Sequence, residues 1–446
     1  MSRYLTVRKL RERLLAGGTA GLLVLAACGC DYLAWRRERR EWLAKLESNP
    51  SLALARKAAP EDCFVLHGEV SFPAGQPRRV LVAAFNHEGT VHELVASHEV
   101  VAETGFYRLF LPAGVYDVAL LADINDDGFY ADDEVVGSTD PAAPVRVGRD
   151  TSVDGFIVRS PEIALDFDHP RQAAVTLKIP VRQKPFVVES VDDPLFDPQY
   201  GTLGVYYPTQ FLTHSQRFVF ALGEPNPRLP FILLVHGLSG TPRDFKALIA
   251  SIDRSKYQIL VFNYPSGMPL DKMGSTLAFT MREIERLDPI EPRLVVIAHS
   301  MGGLVARRAL NEVCGGGRPG WLRLYISWDT PYGGEDSAER GVRGGRDMVP
   351  SWRDLATGSS FVEGLYSTSL PKDLPFYLFF GWGNGESRGP NPAGDGTIRL
   401  RSQLDPRAQA AATRLLGFEQ THVGILGDPA ALGALGSILD ETFHAR

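Results

Sequence analysis

The chemistry in this chain starts at one serine, Ser300, in the run Ala298-His299-Ser300-Met301-Gly302-Gly303. The run follows a continuous apolar segment, Leu294 to Ala298, and precedes a helical pattern of Leu304, Val305, Ala309, Leu310 and Val313. Small residues at 298 and 302 permit a tight strand-to-helix bend that lifts a hydroxyl above the sheet edge, next to the first amides of the helix. A hydroxyl is a weak nucleophile at neutral pH, so it needs a histidine base and a carboxylate that fixes the base's tautomer. Only two histidines follow Ser300: His422, behind the apolar run ending in Phe418, and His444 near the chain end. His422 is the expected base. Two carboxylates compete for the third place: Asp395 in the Gly-rich Gly394-Asp-Gly-Thr-Ile398, and Asp329, which closes an earlier strand ahead of Thr330-Pro331. An oxyanion formed at this serine requires two preorganised donors. The Met301 amide is one, and the Leu238 amide of His236-Gly-Leu-Ser-Gly240 is the other, with His236 bracing that loop.

These residues must be held by a rigid frame. From about residue 200 onward, short unbroken apolar runs (231–235, 257–262, 294–298, 324–328, 376–380) alternate with helical patterns such as Met273, Leu277, Met281 and Ile284. That alternation predicts a three-layer, mostly parallel sheet covered on both faces. Between 332 and 374 an insertion carries Phe361, Leu365, Tyr366 and Leu370; it is a candidate lid whose apolar side would line an acyl pocket. Upstream, from 60 to 182, the apolar period is two: residues 79–85, 106–111 and 114–121 alternate or run as short strands between Gly and Pro turns. A small all-β sandwich is expected there. The Pro-rich passage around Pro180, Pro185, Pro194 and Pro198 leads into the second domain, 183–446.

Inside the sandwich, Asp123, Asn125, Asp127, Gly128 and Glu134 fill the calcium-loop pattern D-x-[DN]-x-[DN]-G-x5-E. No helix pattern flanks the loop, so it reads as a hairpin turn in which structural calcium is one reading and a polar turn the other. No cofactor is required for the serine chemistry.

The N-terminus has the layout of an export leader, with Arg3, Arg8, Lys9, Arg11 and Arg13 ahead of an apolar stretch from Leu14 to Ala27. Leu25-Ala26-Ala27-Cys28 resembles a bacterial lipobox, which implies cleavage after residue 27, lipidation of Cys28 and a membrane-anchored lipoprotein. Gly29 leaves no retention aspartate next to it, so the expected location is the cell envelope, at the outer membrane facing the periplasm. Residues 28–59, rich in Arg and Glu, form a tether. Cys30, Cys63 and Cys314 remain, an odd number that allows at most one disulfide. Of 446 residues, 44% are hydrophobic and 22% charged, with a net charge of -6; these values exclude a disordered chain and leave no basic footprint for nucleic acid.

Five segments together carry a family resemblance: His236-Gly-Leu-Ser-Gly-Thr-Pro-Arg-Asp-Phe245, Asn263-Tyr-Pro-Ser-Gly267, Ala298-His-Ser-Met-Gly-Gly303, Asp329-Thr-Pro-Tyr-Gly-Gly334 and Gly394-Asp-Gly-Thr-Ile398. Together they resemble the lipase/esterase branch of the α/β-hydrolases, nearest the PGAP1-like serine hydrolases. The sandwich, around Leu111-Pro-Ala-Gly-Val-Tyr116, resembles transthyretin-like or carboxypeptidase-regulatory modules. The first resemblance implies an α/β hydrolase fold behind the sandwich and hydrolysis of esters or lipid esters by Ser300, Asp395 and His422. Asp395 gains the third place because that family most often takes its acid after the penultimate strand. A tethered non-catalytic binding lipoprotein and an acyltransferase with the same residues are the competing expectations.

Overall fold

In a computed structural model, residues 63–444 are described apart from 75–78, 88–91, 103–104, 154–155, 182–185, 216, 288–292, 345–348 and 383–393, together with the pair 36–37. The leader, Cys28 and nearly all of the tether lie outside the described residues. Among those described, no helix is long and apolar enough to cross a membrane.

Ten strands make the N-terminal part: β1 (Cys63–Glu69), β2 (Arg79–Asn86), β3 (Leu94–Val101), β4 (Phe106–Pro112), β5 (Gly114–Leu121), β6 (Phe129–Ala131), β7 (Val135–Ser138), β8 (Val145–Val147), β9 (Ile157–Arg159) and β10 (Lys178–Pro180). One sheet runs β4-β1-β9, a second runs β3-β2-β5-β7 with β8 also on β5, and β6 and β10 pair as a third, two-stranded sheet. The inward positions of the first two, among them Leu66, Val80, Val82, Leu109, Leu111, Val118 and Leu120, form one core. This is the two-layer burial that a period-two pattern demands. Tyr116 ties the β4–β5 corner by donating its phenol hydrogen to Pro112 O at 2.9 Å.

In the β5–β6 loop, Asp123 accepts the amides of Asp127 and Gly128, Asn125 accepts that of Asp127, and both Glu134 oxygens accept amides, from Ile124, Asn125 and Ala131. Glu134 is buried. The calcium-loop residues therefore serve as acceptors that close a hairpin turn on its own backbone.

The second sheet has eight strands: β11 (Val187–Val188), β12 (Val219–Leu222), β13 (Phe231–Val235), β14 (Gln258–Phe262), β15 (Leu294–His299), β16 (Leu322–Trp328), β17 (Phe376–Gly381) and β18 (Arg414–Phe418). Their order is β11-β12-β14-β13-β15-β16-β17-β18. All neighbours are parallel except β12 against β14. Every residue of β13, β14 and β15 is buried, as a parallel strand covered on both faces requires. One face packs on helices Leu270–Leu287 and Met301–Val313 through Met273, Leu277, Met281, Leu304 and Val305. The opposite face packs on Lys246–Ser251 and Pro429–His444 through Leu248, Leu435 and Leu439.

The insertion after β16 folds into three short helices, Asp336–Gly344, Pro350–Leu355 and Ser360–Gly364. Leu365 and Leu370 are buried in the main core and Phe361 and Tyr366 pack on it. Arg307 and Asn311, from the helix behind the nucleophile, donate to Thr368 O and Leu365 O. Leu365 and Leu370 thereby take part in the cover of that sheet face.

The two parts meet along helix Leu270–Leu287. Lys272 donates to Cys63 O at 2.6 Å, and Arg108 donates to Thr276 O while its guanidinium lies 3.0 Å from the Phe279 ring centroid. His67 meets the same ring edge-on. Cys63 and Cys314 are both buried.

Candidate active site

At the end of β15 the backbone turns at Ser300 with φ 55° and ψ -134°, a conformation that residues with side chains rarely adopt. The strain is held by what surrounds it. Ser300 N donates to Trp328 O at 2.8 Å on the neighbouring strand, and Gly303 N donates back to Ser300 O. Gly302 is required by close approach: a Cβ there would stand 2.4 Å from His236 O and 2.5 Å from Val235 O. Both are backbone atoms of the central strand and its loop and cannot swing aside. Gly302→Ala is therefore expected to lower stability by about 3 kcal/mol and turnover about a hundredfold, measurable by thermal melting alongside ester hydrolysis.

The loop after β13 reaches the serine from the other side. A Cβ on Gly237 would lie 2.8 Å from Ser300 Cβ, so the backbone of Gly237 runs against the nucleophile. His236 braces this loop: Nδ1–H donates to Gly237 O at 2.9 Å, Nε2 accepts the Tyr264 amide, and Tyr264 OH donates to His236 O. Met301 opens the helix after Ser300, where the first N–H groups have no partner within the helix.

His422, past β18, brings its Nε2 to 2.8 Å from Ser300 Oγ and its Nδ1 to 2.7 Å from Asp395 Oδ2. Its own amide donates to Asp395 O. The Asp395 carboxylate accepts the Thr397 and Ile398 amides on Oδ1, and Gln403 Nε2 on Oδ2 beside the imidazole. Burial alone would raise its pKa. The imidazole and the amide donors outweigh burial and hold it below the ordinary carboxylate range. Asp329 lies behind the same imidazole, its Oδ2 3.8 Å from His422 Nδ1, beyond hydrogen-bond reach. Of the two carboxylates that competed in the sequence, Asp395 bonds the histidine.

Two participants had no motif to announce them. His299 Nε2–H donates to His422 O at 2.7 Å, fixing the histidine's backbone; its place directly before the serine was the only hint. Gln403 Nε2 reaches Asp395 from a short helix, Leu400–Gln403, and nothing in the local sequence marks it. Among the described residues, His299, Asp329 and His422 are the one group whose ligand atoms could converge on a metal ion. His299 Nε2 and both His422 nitrogens already bond His422 O, Asp395 and Ser300.

Burial pushes the imidazoles of His236 and His299 down to about 4 and about 3, with the neighbouring His422 also lowering His299, and that of His67 to about 4. The unfolded chain takes up protons at these residues near pH 6.5 while the folded chain does not. More protons are then bound unfolded than folded, so stability falls as pH drops from about 6.5 toward 4 and is full above that window. The expected loss is on the order of a few kcal/mol per residue. Melting temperatures should be level above pH 7 and decline below 6.5, less steeply in His299→Gln.

A strand-elbow serine, a late histidine and a carboxylate on a parallel sheet of this order define the α/β hydrolase fold. In keeping with it, residues 232–432, somewhat under half of the chain, match the alpha/beta hydrolase family. No curated protein matches the chain. Similar solved structures include a mature lipase of Bacillus licheniformis, 17% identical, with 50% of this chain and 98% of that one covered at a TM-score of 0.40. Lipase B of Aspergillus fumigatus is 15% identical, covering 50% of this chain and 56% of its own at 0.37. An esterase of Pyrococcus furiosus is 18% identical, covering 48% and 81% at 0.36.

Proposed function

We propose that this protein is a serine hydrolase that cleaves carboxylic esters through an acyl-enzyme. The observation that carries the reading is the unbroken relay Asp395–His422–Ser300, with contacts of 2.7 and 2.8 Å. His422 accepts the Ser300 proton on Nε2 as Oγ attacks the ester carbonyl, and the oxyanion meets the Leu238 and Met301 amides. The histidine then protonates the leaving alcohol. In the second half it deprotonates water, which releases the acid and restores Ser300. No cofactor enters these steps.

An ester with an apolar group suits the surroundings. Leu238 packs in a cluster with Val205, Tyr206, Tyr207, Val349 and Trp352, an apolar wall directly beside one oxyanion donor, which favours acyl chains, lipid esters included. In the same reading the mature chain is a bacterial envelope lipoprotein anchored by lipidated Cys28, with kinship to the PGAP1-like branch.

A fluorophosphonate probe and a panel of p-nitrophenyl esters graded by chain length test the function together. Covalent labelling with turnover that rises toward longer acyl chains is expected. A wild-type protein that neither labels nor turns over any ester would point to the tethered binding lipoprotein instead. Labelling with faster ester consumption in the presence of an added alcohol would indicate acyl transfer.

A further inference from the structure

Two carboxyl groups lie behind one imidazole, and they are served unequally. Asp395 receives donors on both oxygens, as described above. Asp329, fully buried at the end of β16 with φ 49°, receives the Gly381 amide on Oδ1, while its Oδ2 meets no N–H or O–H donor among the described residues. An ionised oxygen there would be buried, unpaired and beside a second negative charge, each of which is costly in a poorly hydrated interior. Two groups that only accept cannot share a contact unless one of them carries a proton.

We propose that Asp329 is a neutral carboxylic acid whose O–H donates to Asp395 and holds that carboxylate against His422 Nδ1. This makes Asp329 a positioning residue for the proposed triad, and the inference rests on that reading. Both carboxyls crowd the same imidazole nitrogen, Asp395 Oδ2 at 2.7 Å and Asp329 Oδ2 at 3.8 Å from His422 Nδ1, and burial first, then the Asp395 charge, push the Asp329 carboxyl well above the usual carboxylate range. The groups that face it are Asp395 from the loop after β17, His422 from the loop after β18, the Gly381 amide with neutral Gln403, and, beyond His422, His299 and His236. The last two are buried and neutral.

The protonation state sets the sign of what two substitutions do. If Asp329 is neutral, Asp329→Ala removes a donor from Asp395, leaves that carboxylate more basic and moves the acid limb of kcat/KM to higher pH. Turnover should fall about tenfold. Asp329→Asn supplies an amide N–H in place of the O–H, so it should recover most of that loss and return the limb toward the wild-type position. If Asp329 is instead ionised, both substitutions delete a negative charge beside His422 and shift the limb to lower pH by similar amounts; that result overturns the proposal.

An infrared measurement reads the proton without any turnover. The wild-type minus Asp329→Asn difference spectrum at pH 8 should contain the carbonyl stretch of a protonated carboxylic acid, and its absence also overturns the proposal. Because that band is independent of activity, a protein that hydrolyses nothing but shows the band would sink the esterase reading alone. Should Asp329→Ala fail to fold, the Asn variant and the band still decide.

Discussion

Replacing Ser300 with alanine is expected to lower ester turnover by on the order of 10⁵- to 10⁶-fold and to abolish fluorophosphonate labelling. The magnitude follows from how the site is built. In the proposed reaction His422 Nε2, 2.8 Å from Ser300 Oγ, takes the serine proton, so without the hydroxyl the histidine and Asp395 have nothing to activate in the first step. Members of such a set act as a unit, and losing the nucleophile forfeits nearly the whole triad contribution. What remains is the few-thousand-fold acceleration over water that binding and the oxyanion donors supply. Alanine keeps a Cβ at φ 55°, so the backbone strain is unchanged and melting should shift little. Single-turnover assays with a chromogenic ester and a melting curve check both statements; a variant retaining a tenth of wild-type turnover would remove Ser300 from the chemistry.

Asp395→Asn should cost about 10⁴-fold in kcat with little loss of fold, by a route that the donors around it dictate. Oδ1 takes two backbone amides, from Thr397 and Ile398, and amides will accept only a carbonyl oxygen there. The new NH2 must then occupy the Oδ2 position and point at His422 Nδ1. Facing a donor, the imidazole shifts its hydrogen to Nε2, and the nitrogen toward Ser300 can no longer accept a proton. Asp329, at 3.8 Å, is too far to reverse this. Comparison of kcat for Asp395→Asn and Asp395→Ala, with circular dichroism for the fold, checks it: the alanine variant, which leaves the tautomer unforced, should be the less impaired of the two.

Much of this site could be read before any coordinates, and the reason is local. The elbow at Ser300 needs small residues next to it for steric reasons, and that need is written in consecutive positions. His422 could be reached by elimination, because only one other histidine follows the serine. The acid was harder, since Asp329 and Asp395 both end up at the imidazole and only the fold decides which oxygen touches Nδ1. Gln403 and the His299–His422 contact were not legible, because they depend on how loops more than a hundred residues apart in one case, and a short helix in the other, come to rest. Patterns of apolar period gave the two cores, but not the fate of Phe361, Leu365 and Leu370: a short apolar run looks alike whether it lines a pocket or completes a sheet cover. The Asp/Asn/Gly loop shows the same ambiguity for polar residues, whose oxygens can bind a cation or cap a turn.

The seam along Leu270–Leu287 bears on how the molecule can be taken apart. Phe279 is covered by Arg108 and met edge-on by His67, and Lys272 is anchored on the Cys63 carbonyl, so the helix is held by residues of the preceding β-layers. Cutting the chain in the Pro-rich passage would therefore strip the Arg108 and His67 cover from Phe279, on a helix that also backs the one carrying the nucleophile. A truncated C-terminal fragment would be sticky and prone to precipitate, whereas the whole polypeptide should melt in a single cooperative step.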